Sequence, residues 1–342
     1  MSLLPWQTAV IESAELRCTL LPDKGGELRS ILHRASGVEL LATLRDVPLD
    51  DGSHTLISPG ADEPAFNRWY AGGWQELLPN GDAPCSVDGI SHSFHGEAWG
   101  RLWRIVNRTA ASITTEVDLQ WPPLRLQRTI ILTNQPTAVE ITERLTNTGS
   151  APARILWGHH PAFGAPLVAE GATIIAPAAR LETVHCDATS RLQPARDLVW
   201  PFAHTTSGEP IDVSVVGDAA RGTHDLCLLH GYTVGRVGID SPALGLRATL
   251  EFDPALFPWL WIWQLYGGAE AAPFAGACCL ALEPWSGPPT LTRAIAEDSA
   301  LTIDPGASRT TTLRLLIEPS RPTTTQPDDN HGAHHHHEHS IR

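Results

Sequence analysis

Basic side chains are scarce in this chain. Its 342 residues hold 24 Lys and Arg against 38 Asp and Glu, for a formal net charge of −14. That balance argues against nucleic acid or an anionic membrane as the main partner, since both favour a field of positive charge. Long apolar runs are missing too: none approaches the ~20 residues that a membrane helix requires. The opening Met1-Ser2-Leu3-Leu4-Pro5-Trp6 has no basic segment followed by an apolar one, so no signal peptide is expected and the expected location is cytoplasmic. Six cysteines (Cys18, Cys85, Cys186, Cys227, Cys278, Cys279) show no Cys-x-x-Cys spacing. They read as buried free thiols in a reducing compartment, not as a zinc ribbon or a disulfide framework. The chain also has no Gly-x-Ser-x-Gly, no phosphate loop, no His-Glu-x-x-His and no strand–Gly-x-Gly-x-x-Gly–helix unit. These absences remove the usual serine hydrolases, nucleotide hydrolases, zinc peptidases and dinucleotide enzymes.

What is present is a globular, strand-rich pattern. Hydrophobic residues make up 42% and charged residues 18%, enough apolar material for a sizeable core. Period-two alternation recurs in Ile113–Leu119, Val139–Ile141, Leu246–Phe252 and Thr311–Ile317, as a half-wet strand demands. Trp259–Leu265 is apolar on both faces and reads as a strand buried between layers. The 28 glycines and 28 prolines punctuate these runs, as at Asp51-Gly52, Asn80-Gly81 and Asp304-Pro305-Gly306. One short helix is expected near Thr292–Ser299. The fold class predicted is all-β, a large antiparallel β-sandwich, with one domain over 1–318. Residues 319–342 carry no apolar pattern and are expected to form a disordered, histidine-rich tail.

Three segments concentrate polar residues in apolar or glycine-rich surroundings. The first runs through Trp74-Gln75-Glu76 to His95-Gly96-Glu97-Ala98-Trp99; the second is Trp157-Gly158-His159-His160-Pro161; the third is Leu282-Glu283-Pro284-Trp285. Glu283 ends an apolar run, so partial burial should lift its pKa toward that of a general base. His160 follows a strand-like segment, and histidine moves protons most easily near neutral pH. His159 and His160 adjoin on an extended segment, so at most one of them faces a pocket. Gly96 would let a ligand approach the backbone beside His95. The twelve tryptophans suit sugar stacking, although for any single one core packing is the simpler reading. Metal catalysis through these histidines and carboxylates ranks below acid–base catalysis, and no metal or cofactor is expected.

Together the three segments resemble the aldose 1-epimerase, or galactose mutarotase-like, family over about residues 14–318. His95-Gly96 is similar to its His-Gly segment, His160-Pro161-Ala162-Phe163 to its His-x-x-Phe/Tyr segment, and Leu282-Glu283-Pro284-Trp285 to its glutamate segment. The resemblance implies a galactose-mutarotase-like supersandwich with a sugar lying across one sheet. It implies Glu283 as general base at the anomeric hydroxyl, His160 as general acid at the ring oxygen, and His95 as a further sugar contact. Asp225 falls where the family has a sugar-binding aspartate. The chain departs from the family at Pro79-Asn80-Gly81-Asp82, where an Asn-Arg pair is usual; Arg68 or Arg101 are candidate substitutes. Glu76 and Glu97 are further candidates, for binding sugar hydroxyls, raising the pKa of Glu283 or helping to hold a cation; His159 is one for substrate contact, and Trp74, Trp99 and Trp285 are ones for stacking.

The expected function is anomer interconversion of a free sugar through ring opening. The expected partner is that small sugar, with no nucleic acid, no membrane and a homodimer left open as the assembly. The alternatives are a non-catalytic carbohydrate-binding protein on the same fold, an epimerase of a modified or phosphorylated sugar, and a lyase or glycosidase built on paired carboxylates.

Overall fold

Alternating side chains make strands nearly everywhere the sequence predicts them. In Ser112–Gln120, Ile113, Val117 and Leu119 are buried while Asp118 and Gln120 face solvent. Trp259–Tyr266, Leu246–Glu251 and Ser308–Pro319 form strands as expected. These observations come from a computed structural model that describes residues 6–48, 56–269 and 274–320. The Asp51-Gly52 turn signal and residues 321–342, with their histidines, lie outside the described residues.

A 13-stranded sheet and an 8-stranded sheet dominate the chain, and the pairs that carry the site are antiparallel. Down the middle of the larger sheet run Gly73–Leu77, Gly158–Phe163, Cys278–Trp285, Trp259–Tyr266 and Thr223–His230, each bonded to the next. One hydrophobic core lies between the sheets, where Leu260, Ile262 and Leu282 of the larger sheet meet Leu126, Ile141 and Leu313 of the smaller. A second core covers the other face of the larger sheet. There Trp259, Trp261, Ala281 and Trp285 pack under Phe66, Tyr70 and Trp99, from segments that cross over the sheet. The larger sheet is therefore buried on both faces, which is why Trp259–Tyr266 is apolar at every position but Gln264.

Helix is confined to short pieces. Leu291–Ala296 matches the expected turn near Thr292–Ser299 and is capped by the Thr290 hydroxyl accepting from the Arg293 amide. Glu63–Asn67 was not expected from periodicity, being too short to show one. Its signal is local: the Asp62 carboxylate accepts from the Ala65 amide, and a proline occupies the first turn. This helix carries Phe66 over the second core and leads the chain to Tyr70.

Candidate active site

Five neighbouring strands and the Glu63–Asn67 helix enclose a cavity of about 230 Å³, lined by His95, His160, His224, Trp261, Trp263 and Glu283 among others. Strand parity decides which residues reach it. On Cys278–Trp285, Glu283 shares the cavity face with Ala281 and Trp285, while Leu280 and Leu282 enter the inter-sheet core. On Gly158–Phe163, His160 takes the cavity face and His159 the core face. The backbone registers Trp285 against Gly158, and a Cβ on Gly158 would stand 2.2 Å from the Trp285 ring. Glycine there is what lets Trp285 lie beneath the site.

The centre of the site is the pair Glu283 and His160. His160 Nε2 lies 3.5 Å from Glu283 Oε1, and both side chains are nearly fully buried. The Trp285 indole N–H donates to Glu283 Oε2 at 3.1 Å. The Tyr70 hydroxyl lies 3.4 Å from His160 Nδ1, so the ring is addressed at both nitrogens. Burial pushes the Glu283 carboxyl up to about 8, helped by the negative charge of Asp82 and opposed by the Trp285 bond. Burial pulls His160 down to about 4. At neutral pH the pair thus holds one proton, and in the empty cavity that proton rests on Glu283.

His95 completes the group. Its ring centroid lies 6.0 Å from that of His160, and its pKa is held well below the usual range by burial and by His160. Its backbone sits at φ 58°, a left-handed conformation that costs a non-glycine residue energy. The amide donates to the Gly81 carbonyl at 2.7 Å, which helps to fix that turn. Gly96 does make a close approach possible, but to chain rather than ligand: a Cβ there would stand 2.2 Å from the Leu78 carbonyl carbon.

The other predicted site residues are not brought to the cavity. Asp225 lies on the core face of Thr223–His230, where it accepts from the Arg191 backbone amide at 3.0 Å and from Arg191 Nε at 2.6 Å. Its strand neighbour His224 is the residue that lines the cavity. Glu97 accepts from the Gln120 and Trp121 amides and from Arg101, which ties the His95-Gly96 segment to the end of the Ser112–Gln120 strand. Arg101 is thereby engaged and stacks on Trp121, while Arg68 lies over Trp69. Neither arginine lines the cavity, so neither takes the place of the family arginine there. Trp74 is in the inter-sheet core, Trp99 packs edge-on against Phe66, and Trp285 stacks on Trp261 with centroids 4.1 Å apart. The tryptophans that line the cavity are Trp261 and Trp263.

Glu76 and His159 belong to a different group altogether, between the two sheets. His159 lies 3.5 Å from Glu76 and 3.2 Å from Glu143, and Arg128 lies 3.7 Å from Glu76. All four are almost wholly buried. The Trp157 indole N–H also donates to Glu76, and Arg128 lies over the Trp103 ring while donating to the Gly26 carbonyl. Burial and the adjacent Glu143 push Glu76 up to about 8. Among the described residues, Glu76, Glu143 and His159 are the group whose donor atoms converge tightly enough to hold a metal ion, within 4.8 Å of one another. With Glu76 holding its proton and burial keeping His159 neutral, Arg128 balances Glu143 without one.

Sequence reasoning missed Tyr70, Asp82, His224, Trp261 and Trp263 as cavity residues. Parity along Trp259–Tyr266 offered a signal for the tryptophans, since residues 259, 261 and 263 share one face. His224 binds Asp187 through Nδ1 at 2.8 Å and accepts from the Trp263 indole through Nε2 at 2.7 Å, so Asp187 and His224 together hold that ring.

A family model described as a domain of unknown function, DUF4432, matches residues 106–317. The chain belongs to the DUF4432 family. No curated protein matches the sequence of this DUF4432 member. Among solved structures it is similar to the Slr1438 protein of Synechocystis sp. PCC 6803, at 18% identity and TM-score 0.66, covering 94% of this chain and 99% of that one. A galactose mutarotase-like protein from Lactobacillus casei ATCC 334 matches at 17% identity and TM-score 0.61, covering 91% and 100%. A GalM/aldose epimerase homologue from C. elegans matches at 13% identity and TM-score 0.60, covering 92% and 100%. The fold of this DUF4432 protein is therefore the galactose mutarotase-like β-sandwich.

Proposed function

We propose that this protein interconverts the anomers of a free aldose, with Glu283 and His160 as the acid–base pair. The observation that carries the reading is that pair: a buried carboxyl and an imidazole, 3.5 Å apart in one cavity, sharing a single proton at neutral pH. Mutarotation needs such a set and no cofactor, because one group must take a proton as the other gives one. Moving the resting proton from Glu283 to His160 leaves the charge of the pair unchanged and yields carboxylate and imidazolium. Glu283 then takes the proton of the anomeric hydroxyl, whose oxygen forms the carbonyl. The bond from C1 to the ring oxygen breaks, and the ring oxygen takes the proton of His160. Rotation about C1–C2 and reclosure with the roles exchanged give the other anomer. His95 lies close enough to His160 to contact the ring oxygen, and Trp261 and Trp263 offer flat apolar faces to the sugar. The cavity, at about 230 Å³, falls below the ~300–1,000 Å³ of pockets for larger ligands and suits a single sugar ring.

Saturation-transfer NMR of anomer exchange tests this on a panel of free aldoses. Wild type should accelerate exchange, and Glu283→Gln should lose about 10²–10⁴-fold while remaining folded. Unchanged turnover in that variant would remove the assignment.

A further inference from the structure

The charge inside the cavity is one-sided. Glu63 and Asp82 line it beside Glu283, whose carboxyl holds the resting proton, and none of its lining residues among those described is a lysine or arginine. The histidines facing Glu283, His95 and His160, are held neutral at physiological pH by burial. Asp82 is half-buried, and among the described residues no lysine or arginine forms an ion pair with it. Its amide donates to the Pro289 carbonyl at 2.6 Å, and the preceding Gly81 carbonyl accepts from His95. Asp82 is thus pinned between the His95 turn and the loop that follows Glu283. Burial and the neighbouring Glu63 together push its carboxyl up to about 6, the mark of an anion in a poorly solvated place beside another anion. A group missing from the cavity is therefore a cation. The only described carboxylates and histidines that converge as metal ligands do are Glu76, Glu143 and His159, on the far face of the sheet. The cavity carboxylates form no such converging group among the described residues, which suits a charge carried by the ligand itself. His95, whose Nδ1 is buried with no hydrogen-bond partner among the described residues, lines the same cavity.

We propose that the substrate is an aldose bearing an ammonium group, an amino sugar, with Asp82 and Glu63 as the partners of its nitrogen. The inference rests on the reading of the cavity as a sugar site and names the class of sugar. A primary ammonium offers three N–H donors to carboxylates and supplies the positive charge that the described cavity lining lacks. A phosphate or carboxylate on the sugar would meet like charge there, and a neutral hexose would leave Asp82 uncompensated.

The experiment compares glucosamine and galactosamine with glucose, galactose and glucose 6-phosphate, using the full chain at about pH 6.5 so that the amine is charged. Anomer exchange is followed by saturation transfer, and binding is measured separately by calorimetry with the same sugars. The expected result is a kcat/KM for an amino sugar at least about tenfold above that for its neutral counterpart, equivalent to ~1.4 kcal/mol, with the phosphate slowest. In Asp82→Asn and in Glu63→Gln the amino-to-neutral ratio should fall toward unity in both kcat/KM and affinity. Equal handling of amino and neutral sugars by wild type overturns the proposal and leaves the anomerase reading standing. An unchanged ratio in both variants also overturns it. Selective binding of the amino sugar without faster exchange sustains the ligand class and overturns the catalytic reading instead. Neither binding nor exchange of any sugar overturns both.

Discussion

The two faces of the larger sheet each carry a buried histidine beside a buried carboxylate, and of these two pairs it is His160 and Glu283 that line the cavity of about 230 Å³. His159 and His160 are consecutive, and the strand sends them to opposite sides. On the inter-sheet face, His159, Glu76, Glu143 and Arg128 are packed against Trp74, Trp157 and Trp103, with charge balanced inside the group. On the cavity face, Glu283 and His160 meet no arginine; loops rather than a second sheet cover them, and space is left for a ligand. Burial alone therefore does not make a reactive pair. An acid–base site needs groups whose proton is free to leave and a volume into which a reacting molecule can fit.

Substitutions that separate the two faces test this contrast. The largest effect is expected for His160→Gln, with anomer exchange slowed about 10²–10⁴-fold and unfolding free energy changed by no more than ~1 kcal/mol. Its inner counterpart, Arg128→Leu, should reverse the pattern. Leaving Glu76 and Glu143 buried without their cation should cost about 3–5 kcal/mol in urea denaturation, while the folded fraction keeps the cavity chemistry. Loss of exchange without loss of stability in Arg128→Leu would merge the two groups into one functional unit.

A pH series sharpens the cavity side. The proposed mechanism requires one proton on the pair, so kcat/KM should form a plateau between about 4 and about 8, falling below as His160 takes a second proton and above as Glu283 loses its own. The same carboxyl has a stability signature. Its folded pKa lies above the ~4.3 of an unfolded glutamate, so the folded state holds the proton more tightly. Wild-type stability should drop relative to Glu283→Gln as pH rises from about 4 to about 8, and the gap should be level beyond. A variant no more stable than wild type at pH 9 would show that the buried carboxyl is not strained by ionisation.

Smaller effects separate neighbours on a single strand. Trp263→Leu should weaken sugar binding by ~1 kcal/mol through lost stacking, read as a higher KM. Asp225→Asn should lower stability by ~1–3 kcal/mol through Arg191 and leave KM within about twofold. A large KM change from Asp225→Asn would return that residue to the sugar.

Much of the fold was legible in the chain. Period-two alternation in Ser112–Gln120, Leu246–Glu251 and Ser308–Pro319 directly reports a sheet with one wet face, and these strands fall where alternation places them. The site was legible only in part. His95, His160 and Glu283 stand out because polar residues interrupt apolar or glycine-rich runs, and they do meet at one cavity. Glu76, Glu97, His159 and Asp225 stand out for the same reason yet serve buried networks. A charged residue in an apolar run looks alike in sequence whether its partner is an arginine or a ligand. Tyr70 and His224 gave no signal, since each is a single polar group whose role depends on a distant contact.

The sequence by itself determined the all-β class, the alternation that sends His159 and His160 apart, and the supply of acid–base groups, because these follow from local spacing and side-chain chemistry. The tertiary structure alone decided which face of the larger sheet is sealed by a second sheet and which is left to loops. That choice sets solvation and partner, and so it separates a charge-balanced cluster from a carboxyl at about 8 facing an imidazole at about 4.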